Sequence, residues 1–223
     1  MKIFSITILL FVFSFTASAQ YKIKKVYHPE WYVSANTGIN YFLAEGFNEY
    51  LKTSPTKAIG FLGRTSIGYN FTPIWGVRGD IGFSTHTWPE NSKNNNIAIN
   101  IMAENMAANI TANMINWLSG YDSNRMYDVS LFGGLGVSYR NKGVFNNALI
   151  SYIGRVGAQA DYRITRELSL NLLAEVDLVD DNYNEYIGTK LPFDFYPALS
   201  IGFSYRFPTT DIFLQTVKVN YGK

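Results

Sequence analysis

Ser84 and His86 stand two residues apart in the chain, and a serine beside a histidine is the pair that activates a hydroxyl for acyl transfer. Two such residues on an extended strand share a face but lie roughly 7 Å apart along it, too far for a direct hydrogen bond without a bulge. No carboxylate is evidently paired with the histidine, so the two read as polar bracing and no catalytic residue is assigned. The other histidine, His28, lies far away in the chain, and a His-rich metal site is not supported. The chain has no cysteine, which removes thiolate chemistry, disulfides and cysteine metal cages. Asp177, Asp180, Asp181 and Glu185 crowd together, but they lack the regular spacing and terminal glutamate of a calcium loop and read as solvated loop charge. Gly133, Gly134 and Gly136 have neither a Walker lysine nor a following helix, so GGLG reads as strand glycines. Asn70-Phe71-Thr72 and Asn109-Ile110-Thr111 match the glycosylation string by chance, since both lie in or beside predicted strands. Neither a metal nor a cofactor is expected.

The remaining chemistry is charge placed in alternation with oil. Arg64, Asp80, Arg155 and Glu175 each fall near the middle of a predicted strand, on the face opposite its apolar side chains. A singly buried charge costs several kcal/mol, so these four are expected to pair as an interior ionic cluster that braces the fold.

The elements that must hold them are strands. From Ala198 to Phe207, the residues Leu199, Ile201, Phe203, Tyr205 and Phe207 share one face, while Ala198, Ser200, Gly202, Ser204 and Arg206 share the other. The same period of two runs over Trp31–Tyr41, Ile59–Asn70, Trp75–His86, Tyr127–Tyr139, Ala148–Tyr162 and Leu168–Leu178. One further strand begins with Ile97, Ile99 and Ile101 on odd positions and continues with Ala108, Ile110, Ala112 and Met114 on even ones. Parity cannot change without an extra residue, so a bulge is expected between Ala103 and Ala107, with the strand running on to about Leu118. A helix over Ile97–Ala107 is the rival reading, because alanine and methionine favour helices.

Those eight strands alternate between long polar connections (Glu45–Thr56, Trp88–Asn96, the stretch before Ala148, Asp180–Asp194) and short turns (Phe71–Ile74, Ser119–Asn124, Arg163–Glu167). A soluble sandwich has no reason for that asymmetry, whereas a membrane barrel has outside loops and periplasmic turns. Trp31, Trp75 and Trp117 fall at the turn ends and Trp88 at a loop end, as interfacial belts require. The expected fold is an all-β, eight-stranded antiparallel up-and-down transmembrane β-barrel. Eight strands enclose an interior that side chains just fill, so a wide pore is disfavoured.

The 223 residues are 47% apolar and 16% aromatic with a net charge of +2. That balance excludes disorder, and its scattered Lys and Arg give no basis for a nucleic-acid partner. Residues 1–19 combine Lys2, an apolar run and Ala17-Ser18-Ala19, the features of a cleavable export signal. Residues 20–30 form a periplasmic lead-in, 31–207 the barrel and 208–223 a periplasmic tail.

The segments SGYDSNRMYDVSLFGGLGVSY, LNLLAEVDLVDDNYNEY and LSIGFSYRF resemble the small outer-membrane β-barrel domain family of Bacteroidetes, architectural relatives of the OmpA-type barrels. The resemblance covers essentially the whole mature chain and implies a place in the cell outer membrane with outer-membrane lipid as partner. The tail departs from it, and Phe213, Val217, Val219 and Tyr221 leave a ten-stranded alternative together with the lead-in. The expected function is that of a structural or surface-interaction protein, with an unidentified extracellular ligand reached through the loops and the oligomeric state open. The alternatives are an outer-leaflet acyl hydrolase or transferase, for which Ser84 and His86 are the candidates, and a narrow pore.

Overall fold

The computed structural model describes residues 27–41, 59–89, 98–141, 148–180 and 193–208, with backbone alone over 86–89 and 98–101. Residues 1–26, which hold the expected export signal and most of the expected lead-in, and residues 209–223 of the expected tail lie outside the described residues.

Eight strands follow one another: β1 (Glu30–Tyr41), β2 (Ile59–Asn70), β3 (Trp75–Pro89), β4 (Ala98–Asn113), β5 (Tyr127–Arg140), β6 (Leu149–Arg163), β7 (Leu168–Asp180) and β8 (Phe193–Arg206). Each is antiparallel to the next, and β8 pairs with β1 from Tyr32↔Arg206 to Asn40↔Ala198, closing a barrel. Closure leaves neither β1 nor β8 a free edge, so the described barrel is complete with these eight strands.

Sequence alternation becomes an inside and an outside. Ser34, Asn36, Ser66, Asn109, Ser138, Ser151, Asn171, Ser200 and Ser204 point inward and are buried, whereas Ile67, Ile81, Ile110, Leu135, Val156 and Ile201 point outward and are exposed. A soluble protein has the opposite arrangement. An outer face this oily is stable against lipid, and strands of 12 to 16 residues exceed the roughly 9–11 that a membrane crossing needs. At the end carrying the turns 71–74 and 164–167, aromatic rings form a girdle. Trp31 meets Tyr69 at 4.8 Å, Tyr205 meets Phe207 at 5.4 Å, and Trp75 meets Trp117 at 5.9 Å.

Strand β4 departs from its sequence pattern. Its register is unbroken against β3, from Trp75↔Ala112 to Pro89↔Ala98, and against β5, from Ala103↔Arg140 to Asn113↔Ser130. The expected bulge between Ala103 and Ala107 is therefore absent, and so is the rival helix. Met102, Glu104, Met106, Ala108 and Ile110 face outward, while Ala103, Ala107, Asn109 and Thr111 are buried inside. The strand is longer than the hydrocarbon requires, so lipid does not sort its outer end, and an apolar run there carries no information about parity.

At the other end β4 stops at Asn113 rather than Leu118. The Asn113 side chain accepts a 2.8 Å hydrogen bond from the Asn116 amide and caps a short helix, α1 (Met114–Ser119). Gly120 ends α1 with φ of 77°, a conformation glycine adopts without steric cost. Trp117 thus joins the girdle from α1, and the β4–β5 connection spans 114–126 rather than the compact 119–124 turn. Two other boundaries move outward. β3 runs through Trp88 to Pro89, and β8 begins at Phe193, because ladder pairing with a neighbour continues beyond the point where composition turns polar.

Two large inward rings are accommodated by glycines on the neighbouring strand. Tyr32 pairs with Gly68, where a Cβ would lie 2.2 Å from the tyrosine Cζ; Phe132 pairs with Gly157, where it would lie 2.4 Å from the phenylalanine Cζ. Gly68→Ala is therefore expected to destabilise the folded barrel by about 1–3 kcal/mol in reversible urea unfolding from vesicles, the scale of overpacking. Combining it with Tyr32→Leu should cost less than the sum of the single changes; additive losses would show that the ring does not set the size limit at position 68.

Candidate functional site

The barrel interior gathers the ionisable side chains. β2 contributes Arg64, β3 contributes Arg78 and Asp80, β6 contributes Arg155, and β7 contributes Glu175 and Asp177, all of them buried. Strand pairing puts these groups at one level, since Arg155 lies opposite Asp177, Glu175 opposite Gly157, Asp80 opposite Ser66 and Arg64 opposite Gly82. Small partners leave the volume in which long side chains meet.

Arg155 is the hub, and only 1% of it is exposed. Its Nε and Nη2 donate to Asp177 Oδ1 and Oδ2 at 2.7 Å each, a bidentate fork, and its Nη1 donates to Asp80 Oδ2 at 3.1 Å. Arg155 Nε also lies 3.8 Å from Glu175 Oε2, while Arg64 Nη1 donates directly to that same oxygen. Asp80 Oδ2 accepts further hydrogen bonds from Arg78 Nη2 at 3.1 Å and Asn109 Nδ2 at 2.9 Å. Arg78 Nε and Asp80 Oδ1 are 2.8 Å apart without hydrogen-bond alignment, so that contact is ionic only. The Arg78 guanidinium stacks 3.9 Å above the Phe132 ring, and its Nη1 donates to Gln159 Oε1 at 3.0 Å. Three arginines thus face three carboxylates, and the buried network carries no net charge.

Arg64, Asp80, Arg155 and Glu175 all take part in this one network, joined by Arg78 and Asp177. The last two have a sequence signal, since Arg78 sits two residues from Asp80 on the same face and Asp177 two from Glu175. Only the register reveals that Asp177 is the direct partner of Arg155. The solvated-loop reading of Asp177 is corrected accordingly: it is a buried, paired carboxylate, whereas Asp180 is exposed at the end of β7 and Asp181 and Glu185 lie outside the described residues. Among the described residues no group of three or more His, Cys, Asp or Glu is arranged to hold a metal ion.

Ser84 also faces inward and is buried, and its Oγ accepts a hydrogen bond from Asn105 Nδ2 at 3.2 Å. The backbone of His86 lies on the same strand two residues on, and its side chain lies outside the described residues. On the outward face between the strand ends, Glu104 is the single charged residue among the described residues.

The network divides the interior. On the side of the long connections, Leu62, Ile153, Val179 and Tyr196 are buried around a space of only 20 Å3. On the side of the turns the interior opens into a 420 Å3 cavity reaching from Arg78 and Phe132 to Tyr27, Tyr121 and Arg206. Tyr27 donates from its hydroxyl to the Asn70 carbonyl at 2.9 Å and meets Tyr121 edge to face at 5.2 Å. Burial, with Glu30 adding to it, pushes both phenols upward, so they remain neutral donors at the mouth.

Glu175→Ala and Arg155→Ala are each expected to cost about 3–5 kcal/mol in unfolding free energy, because each leaves an opposite charge buried without its partner. The Arg64→Ala/Glu175→Ala cycle should show a coupling of about 1–3 kcal/mol, larger than that of Arg155→Ala/Glu175→Ala. Equal couplings would show that the direct Arg64–Glu175 contact does not dominate at Glu175.

Residues 7–207 match the family described as "Outer membrane protein beta-barrel domain". Neisserial surface protein A shares the fold with a TM-score of 0.50 and 15% identity, over 81% of this chain and 100% of that one. A major outer membrane protein of Thermus thermophilus does so with a TM-score of 0.54 and 14% identity, over the same shares. No curated protein matches the sequence. The closed, oily-outside barrel and the match over most of its length lead to one assignment: the chain belongs to the outer membrane protein beta-barrel domain family and resides in the cell outer membrane.

Proposed function

We propose that the protein is a structural or surface-interaction protein, in which a plugged barrel anchors the long connections at the cell surface. The observation that carries this reading is the buried ionic network of Arg64, Arg78, Asp80, Arg155, Glu175 and Asp177, which reaches across the lumen between the two interior spaces. A passage for solute through that layer would require breaking several buried pairs at once, each worth about 3–5 kcal/mol to leave half-made. The β3–β4 ribbon adds support, because the pairs from Ser84↔Ala103 to Pro89↔Ala98 extend beyond the length a bilayer needs. The inward Ser84, hydrogen-bonded to Asn105, supports a non-enzymatic role, since the barrel wall separates its hydroxyl from acyl chains outside. The strand motifs resembling Bacteroidetes barrels support a source in that group, and an extracellular ligand would be met by the outer connections.

Purified protein in planar bilayers is expected to give no discrete conductance steps. Regular steps that shift in size with Arg155→Ala would instead establish a pore through the network. Incubation with lipopolysaccharide is expected to release no acyl chains. Release that disappears in Ser84→Ala and His86→Ala would replace the anchor reading with the enzyme.

A further inference from the structure

The 420 Å3 cavity at the turn end of the barrel has the size of a small-molecule site and is not explained by the anchor role. It reaches solvent, since Asp122, Ser123, Asn124 and Arg166 both line it and are exposed.

Asp128 of β5 and Asp161 of β6 are cross-strand partners on its wall, each 9% exposed. Side chains so paired have Cβ atoms about 4.5–5.5 Å apart, close enough for two carboxylates to repel strongly when buried. Asp128 is compensated: it accepts from Asn113 Nδ2 at 3.1 Å and Arg163 Nη2 at 3.3 Å, with Arg206 Nη2 at 3.8 Å. Asp161 is not. Its two oxygens accept only from Gln159 Nε2, at 3.0 Å each, and among the described residues no lysine or arginine forms an ion pair with it.

Gln159 cannot turn to relieve this, because its Oε1 is held by Arg78 Nη1 at 3.0 Å. The amide is therefore fixed as a donor, and one NH2 shared by both oxygens suits an ionised carboxylate rather than an acid with a proton on one of them. A buried carboxylate in that state gains from a positive partner in direct contact, and the space beside it is open. A hard divalent ion takes six to eight oxygens, more than two carboxylates supply, and the described residues hold no metal-binding group of three. A primary ammonium suits the site better, since its three N–H donors match acceptors on Asp161, Asp128 and the lining hydroxyls of Ser130 and Ser204.

We propose that this periplasm-facing vestibule is a binding site for a small solute bearing a primary ammonium group, seated between Asp161 and Asp128. The site lies on the turn side of the ionic network and does not depend on whether the barrel acts as an anchor.

The test uses isotope-labelled full-length protein in detergent micelles, titrated with 1,4-diaminobutane and, at equal ionic strength, with sodium chloride. Saturable amide shifts around Asp128 and Asp161 with the diamine alone are expected. Asp161→Asn should weaken binding at least tenfold while keeping the heat-modifiable gel band of the folded barrel. If that variant does not fold, Asp128→Asn is scored by the same readout. Shifts that fail to saturate, that sodium chloride reproduces, or that survive unchanged in the folded variant would overturn the proposal.

Discussion

A peptide group inside hydrocarbon has no water to bond, so every N–H and C=O of a membrane-crossing strand must find a partner on another strand. The pairing of β8 with β1 meets that condition, and the other features of this protein follow from it. An open sheet of the same eight strands would leave two edges unsatisfied, at several kcal/mol for each exposed group. Closure at eight strands in turn sets a bore that side chains just fill. Such a bore lets arginines on β2, β3 and β6 reach carboxylates on β3 and β7 across the lumen, and it requires glycine where an aromatic ring must also fit.

Burying six charged side chains contributes little to stability by itself, since desolvation offsets most of the attraction. The network has a second consequence, in selection among registers. A slip of one residue moves every side chain of a strand to the opposite face. For β6 that would carry Arg155 into lipid, at roughly 2–4 kcal/mol for an arginine near mid-depth, and would leave Asp177 unpaired inside. The alternation of oily and small residues already opposes that slip. A slip of two residues preserves the faces and is opposed only by specific contacts, among which the bidentate Arg155–Asp177 fork is the most demanding geometrically. The ionic layer thus supplies what binary patterning cannot.

That division also explains what the sequence revealed. Alternation is imposed residue by residue by lipid on one side and lumen on the other, so strands such as Ile59–Asn70 and Leu168–Asp180 are legible almost to their ends. It fades where lipid ends, which is why the outer half of β4 misled and why β3 and β8 run further than composition suggests. The α1 turn escaped notice because one asparagine cap, Asn113, decides it against an otherwise strand-like pattern. Inward charges were legible as a set, but partners were not, because pairing depends on relative strand stagger, which no single strand encodes. The Asp128–Asp161 juxtaposition is likewise visible only once β5 and β6 are in register.

Glu104 tests the lipid assignment, since one charge on the oily face could mean that β4 is misplaced in the wall. It pairs laterally with Phe83 and Tyr139, and Phe83 is eight residues beyond Trp75 of the inner girdle along β3. At about 3.3 Å per residue and the usual tilt, that is roughly 20 Å along the membrane normal, near the outer limit of an apolar band about 25 Å tall. Charge at that depth costs about 0–1 kcal/mol, and acidic residues cost less than basic ones. Glu104 is therefore compatible with its position, flanked by aromatic residues at the level where a second girdle belongs. Among the described residues, the one charge on the lipid side between the strand ends thus sits near the boundary where hydrocarbon gives way to head groups, and the continuous β3–β4–β5 register is retained at little cost.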